Sequence, residues 1–193
     1  MVTKYIVNNL SGQTINDQQL LPYKVYTALL TQSGGDVPFG VAGDGEQIVL
    51  GITYEITDNP NNNDLTIYGA PNNNVGTFFV ANQTTNLPYT NSLQLLGNTG
   101  APVVTVLENT IGNIWFGYDT IGFYTISSNG LFSDDKTFFI SALGPNGGDY
   151  QTPALLMLYR NDINTVQLIT SNVNGNALND CMLKTSIEIR VYN

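Results

Sequence analysis

Four glutamates, Glu46, Glu55, Glu108 and Glu188, are the residues of this chain with the widest chemical scope. Glycoside cleavage needs only two carboxylates, one giving a proton and one acting as base or nucleophile. Trp115 and the tyrosines could stack a sugar beside them. Yet Glu55, Glu108 and Glu188 fall on strand-like runs or at their ends, where a solvated face residue is the ordinary outcome. The chain has no histidine, which removes the commonest general base and metal ligand. Asp58, Asn61, Asn63 and Asp64 offer oxygens in one loop. That loop lacks the glycine and the closing bidentate glutamate of a helical calcium loop, and it reads as an Asn-rich turn. Asp134-Asp135 reads as a hairpin turn. The glycine-rich strings GDGEQ (Gly43 to Gln47) and GPNGGD (Gly144 to Asp149) have neither the lysine nor the helix that phosphate cradling needs. Cys181 stands alone, so it forms no internal disulfide. With no imidazole to activate it, it reads as a buried structural thiol. No catalytic, cofactor-binding or metal-ligating residue is therefore assigned, and the chain reads as non-enzymatic.

The rest of the composition points toward holding and packing. Hydrophobic residues make up 42% of the 193, enough to bury a core without disulfides or metal. Only 11% are charged while asparagine alone occurs 25 times, so the surface must be neutral and polar. Asparagine, threonine and glycine make turns and neutral hydrogen bonds. Net charge is −9, with six scattered cations against fifteen acids. Phosphate-backbone binding needs clustered cations, which argues against nucleic acid and, equally, against anionic membranes. No apolar run approaches the ~18 residues of a spanning helix, and MVTKYIVNNLSGQTI does not read as a signal peptide. Synthesis in a cytoplasm is the expectation.

The elements that would position these residues are strands. β-Branched and aromatic runs recur, punctuated by Gly, Asn, Asp and Pro. The candidates are Lys4–Asn8, Tyr23–Gln32, Gln47–Ile56, Leu65–Tyr68, Thr77–Ala81, Val103–Glu108, Ile114–Tyr118, Gly122–Ser127, Lys136–Ser141, Leu155–Arg160, Thr165–Thr170 and Met182–Tyr192. The last is the clearest, because Ile187, Ile189 and Val191 alternate with Glu188, Arg190 and Tyr192. Ser92–Leu96 reads as a helical turn at most. Many short strands without helices predict an all-β fold, a jelly-roll-like barrel or β-sandwich. Trp115, Phe116, Tyr118, Phe123 and Tyr124 lie on two adjacent strands. Alternation sends about half of them into the core and leaves the others for a subunit contact or ligand shelf.

Three divisions follow. Residues 1–22 form an N-terminal arm. Residues 23–193 form the sandwich, interrupted at 34–100 by an inserted, loop-rich β lobe carrying DNPNNND and GAPNNNVG.

YKVYTALLTQSG (Tyr23 to Gly34) and APVVTVLENTIGNIWF (Ala101 to Phe116) together resemble a module of structural proteins of tailed bacteriophages, in which the two strings often stand nearly adjacent. GITYEI (Gly51 to Ile56), DLTIYGAPNNNVGTFFVAN (Asp64 to Asn82) and TTNLPY (Thr84 to Tyr89) are similar to a second recurring phage unit. They depart from it at Leu87-Pro88-Tyr89, where Thr-Pro and then Trp are expected. KYIVNNLSGQTI (Lys4 to Ile15) is similar to the start of small fibre-like or head-associated phage proteins. The resemblance implies a virion component, made in the host bacterial cytoplasm, without catalytic residues or cofactors. Its partners would be copies of itself, as a homotrimer or higher ring, and neighbouring capsid or tail proteins, in a decoration, vertex, head-fibre or tail-fibre role. The alternative is a lectin-like module that binds host surface glycan through the Asn-rich loops around Asn72–Asn74, and behind it a glycan-cleaving enzyme.

Overall fold

A computed structural model describes residues 22–32, 41–42, 47–88, 94–97, 100–141, 145–146 and 149–193. These residues form fifteen strands and a single 3-10 turn. The architecture is the expected all-β sandwich. The front sheet runs β11 (Thr137–Ser141), β15 (Met182–Tyr192), β1 (Tyr23–Gln32), β8 (Val103–Asn109). The back sheet runs β12 (Pro145–Asn146), β13 (Asp149–Arg160), β14 (Thr165–Asn172), β10 (Phe123–Ser128), β9 (Ile114–Thr120). Every pairing is antiparallel.

Period-2 alternation builds the core. Tyr26, Ala28 and Leu30 of β1 point inward beside Ile187, Ile189 and Val191 of β15. Phe116, Tyr124, Ile126, Val166 and Leu168 of the back sheet meet them. Each buried Val, Leu, Ile or Phe side chain among them stabilises by about 1.5–3 kcal/mol through apolar burial. Trp115 and Phe116 do point in opposite directions: Phe116 lies in the core and Trp115 does not.

Between β1 and β8 the chain makes the inserted lobe. Its sheet is β2 (Val41–Ala42), β7 (Gln94–Gly97), β4 (Thr53–Asp58) and β5 (Phe78–Val80), with a separate pair β3 (Gln47–Ile48) and β6 (Thr85–Asn86). The lobe has its own core, built around Ile48, Tyr54, Ile56, Leu65, Phe79 and Leu95.

Three local expectations change. Gln47–Ile56 is two strands rather than one, because Gly51 takes a left-handed φ of 83° and turns the chain between β3 and β4. Leu65–Tyr68 is a 3-10 turn, Thr66–Tyr68, closed by Gly69 at φ 106°. Only glycine enters that region without a Cβ penalty. Ser92–Leu96 holds strand β7 where a helical turn was expected, since pairing with β4 recruits Gln94–Gly97. Tertiary pairing overrode local preference there. The Lys4–Asn8 strand and nearly all of the N-terminal arm lie outside the described residues.

Candidate interaction surface

The lobe seals one side of the sandwich. Val104 N–H donates to Gly51 C=O at 2.9 Å, and Gly51 N–H donates to Ala81 C=O at 2.8 Å. Phe116 N–H, on the outer side of β9, donates to Thr53 Oγ1 at 3.1 Å. Asn113 Nδ2 donates to Phe78 C=O at 2.9 Å, and the Phe78 and Trp115 rings stack at 5.6 Å and 11°. Trp115 thus packs into the seam between lobe and sandwich. A Cβ on Gly51 would lie 2.4 Å from Val104 O, so the seam requires glycine there.

A buried polar clasp ties the lobe's two roots together. Gln32, the last residue of β1, is 5% exposed. Its Nε2 donates to Gly100 C=O at 3.0 Å. Its Oε1 accepts from the Tyr124 hydroxyl and from Asp180 N–H, the latter at 2.9 Å. Asn179 extends the cluster: its Nδ2 donates to the Tyr118 hydroxyl at 2.9 Å, and its Oδ1 accepts from Gly122 N–H at 2.8 Å. Burial pushes the Tyr124 phenol well above its ordinary pKa. These amides and phenols tie β1, β9, β10 and the segments before β8 and β15 to one another. Sequence reasoning missed the clasp, although a signal existed: Gln32 shares the inward parity of Tyr26, Ala28 and Leu30.

The glutamates are dispersed. Glu55 lies on β4 in the lobe, and Glu46 lies outside the described residues. Glu108 and Glu188 both stand opposite Thr27, which sets them two strand spacings apart, about 10 Å, on the front sheet's outer face. Glu188 pairs with Arg190, whose guanidinium also sits 4.8 Å from the Tyr23 ring centre. That row is an open sheet face, whereas carboxylate catalysis on a glycan needs a cleft to hold the sugar.

The Asn-rich loops are occupied with themselves. Asn59 Oδ1 accepts from Asn63 N–H at 2.8 Å, and Asn59 Nδ2 donates to Asn73 C=O at 3.1 Å. Asn73 Oδ1 accepts from Leu65 N–H at 2.8 Å. Asn72 Oδ1 accepts from Asn74 N–H and from Thr77 Oγ1, at 2.9 and 2.6 Å. Asp64 Oδ1 accepts from the Thr66 hydroxyl and N–H, and these bonds hold its carboxyl below the usual range. Among the described residues no group of three or more Asp, Glu, Cys or His is placed to hold a metal. Asp134 pairs with Arg160 at 3.0 Å. Cys181 is buried, and burial pushes its thiol up. Of the glycine-rich strings, residues 43–46, 144 and 147–148 lie outside the described residues.

Among the described residues, nothing covers the opposite side of the sandwich. Leu155, Met157 and Tyr159 of β13 point outward and are 41%, 53% and 41% exposed. Phe138 and Ile140 of β11, on the other face of the same rim, are 59% and 49% exposed. Met157, Ile169 and Phe123 are direct cross-strand neighbours, so an apolar row crosses three strands of the back sheet. On the front, Phe138 meets Tyr192 at 5.4 Å and Tyr192 meets Tyr23 at 5.1 Å. Contiguous exposed apolar surface of this kind marks interaction sites. No protein-family model, curated protein or solved structure matches this chain.

Proposed function

We propose that this chain is a non-enzymatic structural protein of a bacteriophage virion, assembling with itself and with neighbouring capsid or tail proteins. One observation carries the assembly reading: the β11/β13 rim exposes Phe138, Ile140, Leu155, Met157 and Tyr159 on stretches, Thr137–Ser141 and Ala154–Tyr159, that hold no charged residue. Burying apolar and neutral polar surface costs less than burying charge, provided each polar group finds a partner. The virion setting rests on the resemblance of Tyr23–Gly34 and Ala101–Phe116 to phage structural modules. The role is that of a capsid-associated decoration, vertex or head-fibre component, or of a tail-fibre component. Against the glycan-binding alternative stand Asn59, Asn72 and Asn73, whose carboxamide oxygens accept hydrogen bonds within their own loops; Asn72 and Asn74 are exposed.

Mass spectrometry of purified particles tests the reading. The chain is expected at stoichiometric copy number, and light scattering is expected to show an oligomer or a mixed complex. Absence from particles, with a chain that stays single in solution, refutes it.

A further inference from the structure

The two sides of the sandwich differ in how they end. On the β8/β9 side the lobe takes up outward N–H groups of Val104 and Phe116. On the other side, among the described residues, β11 pairs with β15 alone, and Ala154–Arg160 of β13 pairs with β14 alone. Soluble sheets blunt such edges with lysine, proline, inward charge or a bulge. Ala154–Tyr159 reads ALLMLY and Thr137–Ser141 reads TFFIS, with no charge and no proline in either. Neither pairing contains a bulge. The two strands also lie next to each other, so both layers of the sandwich stop at one rim.

Resting on the assembly reading above, we infer that this rim is an interface with a second copy of this chain, in which β13 pairs antiparallel with itself across a two-fold axis at Met157. The register follows from the length of free edge. β12 occupies β13 as far as the Pro145–Pro153 pair, and the chain turns away after Arg160 at Asn161–Asn164. The seven residues from Ala154 to Arg160 remain, and their middle member is Met157. Full use of that stretch sets Leu155 against the partner's Tyr159 and joins the two apolar rows across the axis.

A copy fits this edge better than a partner of other chemistry. An acidic or basic partner finds no charge to read between Ala154 and Tyr159 or along Thr137–Ser141, and Arg160 at the end of the edge is already paired with Asp134. Two copies that each carry −9 bring no like charges together within the paired strands. An isologous contact covers both edges at once and leaves neither open to fibre growth. A specific interface must bury about 1,000 Å² or more in total, so both layers of the rim take part. The symmetry implied is a dimer or a dihedral ring with an even number of copies, in place of a lone homotrimer.

The test uses the full chain at micromolar concentration. Light scattering is expected to give an even multiple of the chain mass, and Met157→Lys to halve it while the circular dichroism of the folded chain stays unchanged and the melting temperature loses its dependence on protein concentration. Met157→Cys, treated with a mild oxidant, is expected to give a covalent dimer on a non-reducing gel, because residues paired on the axis reach disulfide distance. Ile169→Cys, one strand further in on the same face, is expected to give none. A single chain, a purely trimeric chain, or a Met157→Lys oligomer of unchanged mass overturns the inference. So does association that is lost on deleting residues 2–21 while Met157→Cys fails to cross-link, which assigns the rim to the arm. None of these results bears on whether the chain is found in particles. Conversely, a two-fold dimer absent from particles refutes the virion reading alone.

Discussion

Replacing Gln32 by Met tests the clasp most directly. Methionine keeps the length and most of the volume of glutamine, so packing changes little. Three groups lose their partner: Gly100 C=O, Asp180 N–H and the Tyr124 hydroxyl. Tyr124 retains Asn179 Oδ1 at 3.1 Å and Asp180 is an exposed residue, which leaves the buried Gly100 C=O with no replacement. That group costs about 1–3 kcal/mol, so a loss of about 2 kcal/mol is expected, offset little by the buried thioether. For a domain of this size that is a fall of roughly 4–8 °C in Tm. In urea, the midpoint should move down with the slope unchanged. Tyr124→Phe alone should cost about 1 kcal/mol, because Gln32 keeps its other two bonds. The double variant should be less destabilised than the sum by about 1 kcal/mol, since both changes remove the same bond. A Gln32→Met protein within about 0.5 kcal/mol of the parent, or strict additivity with Tyr124→Phe, refutes the clasp as a structural unit.

Other substitutions probe single contacts. Gly51→Ala places a Cβ 2.4 Å from Val104 O at a φ of 83°; it should cost at least ~2–3 kcal/mol and raise protease cleavage between lobe and sandwich, read by limited proteolysis. Tyr26→Phe removes a buried hydroxyl without a hydrogen-bond partner, and urea titration should find it neutral or more stable by up to ~1 kcal/mol. Asn73→Ala unlatches Leu65 N–H and should lower stability by about 1–2 kcal/mol, so any glycan assay on that variant must first confirm folding by circular dichroism. The Cys181 thiol is raised by burial, so at pH 8 it holds less thiolate than a free cysteine, and its reaction with a thiol reagent should be at least ~100-fold slower in native buffer than in urea.

Strand alternation made the sandwich legible. β1 and β15 span Tyr23–Gln32 and Met182–Tyr192, the bounds read from the sequence, because each is a long uninterrupted run with one wet face. The lobe was harder. Its short strands are decided by Gly51 and by pairing partners far away in the chain, neither of which a local window contains. Residue types alone marked Glu55, Glu108 and Glu188 as chemistry, and registers placed them on separate sheets or two strands apart. The rim was half visible. Leu155–Arg160 reads as a strand, but only the sheet order makes it an edge.

The Gln32–Gly100 bond has a consequence for how the chain tolerates change. β1 and β8 are direct neighbours, so the whole stretch 33–99 stands where a short turn could join them. Closing a loop of that length rather than a four-residue one costs only about 2–3 kcal/mol of chain entropy, and the lobe's separate core can repay it. The sandwich is then a socket in which one lobe can be exchanged for another, or for a tight turn, without redrawing the remaining strands. A chain in which 34–99 is replaced by a two-residue turn should still fold, with β9 and the outer edge of β8 newly bared.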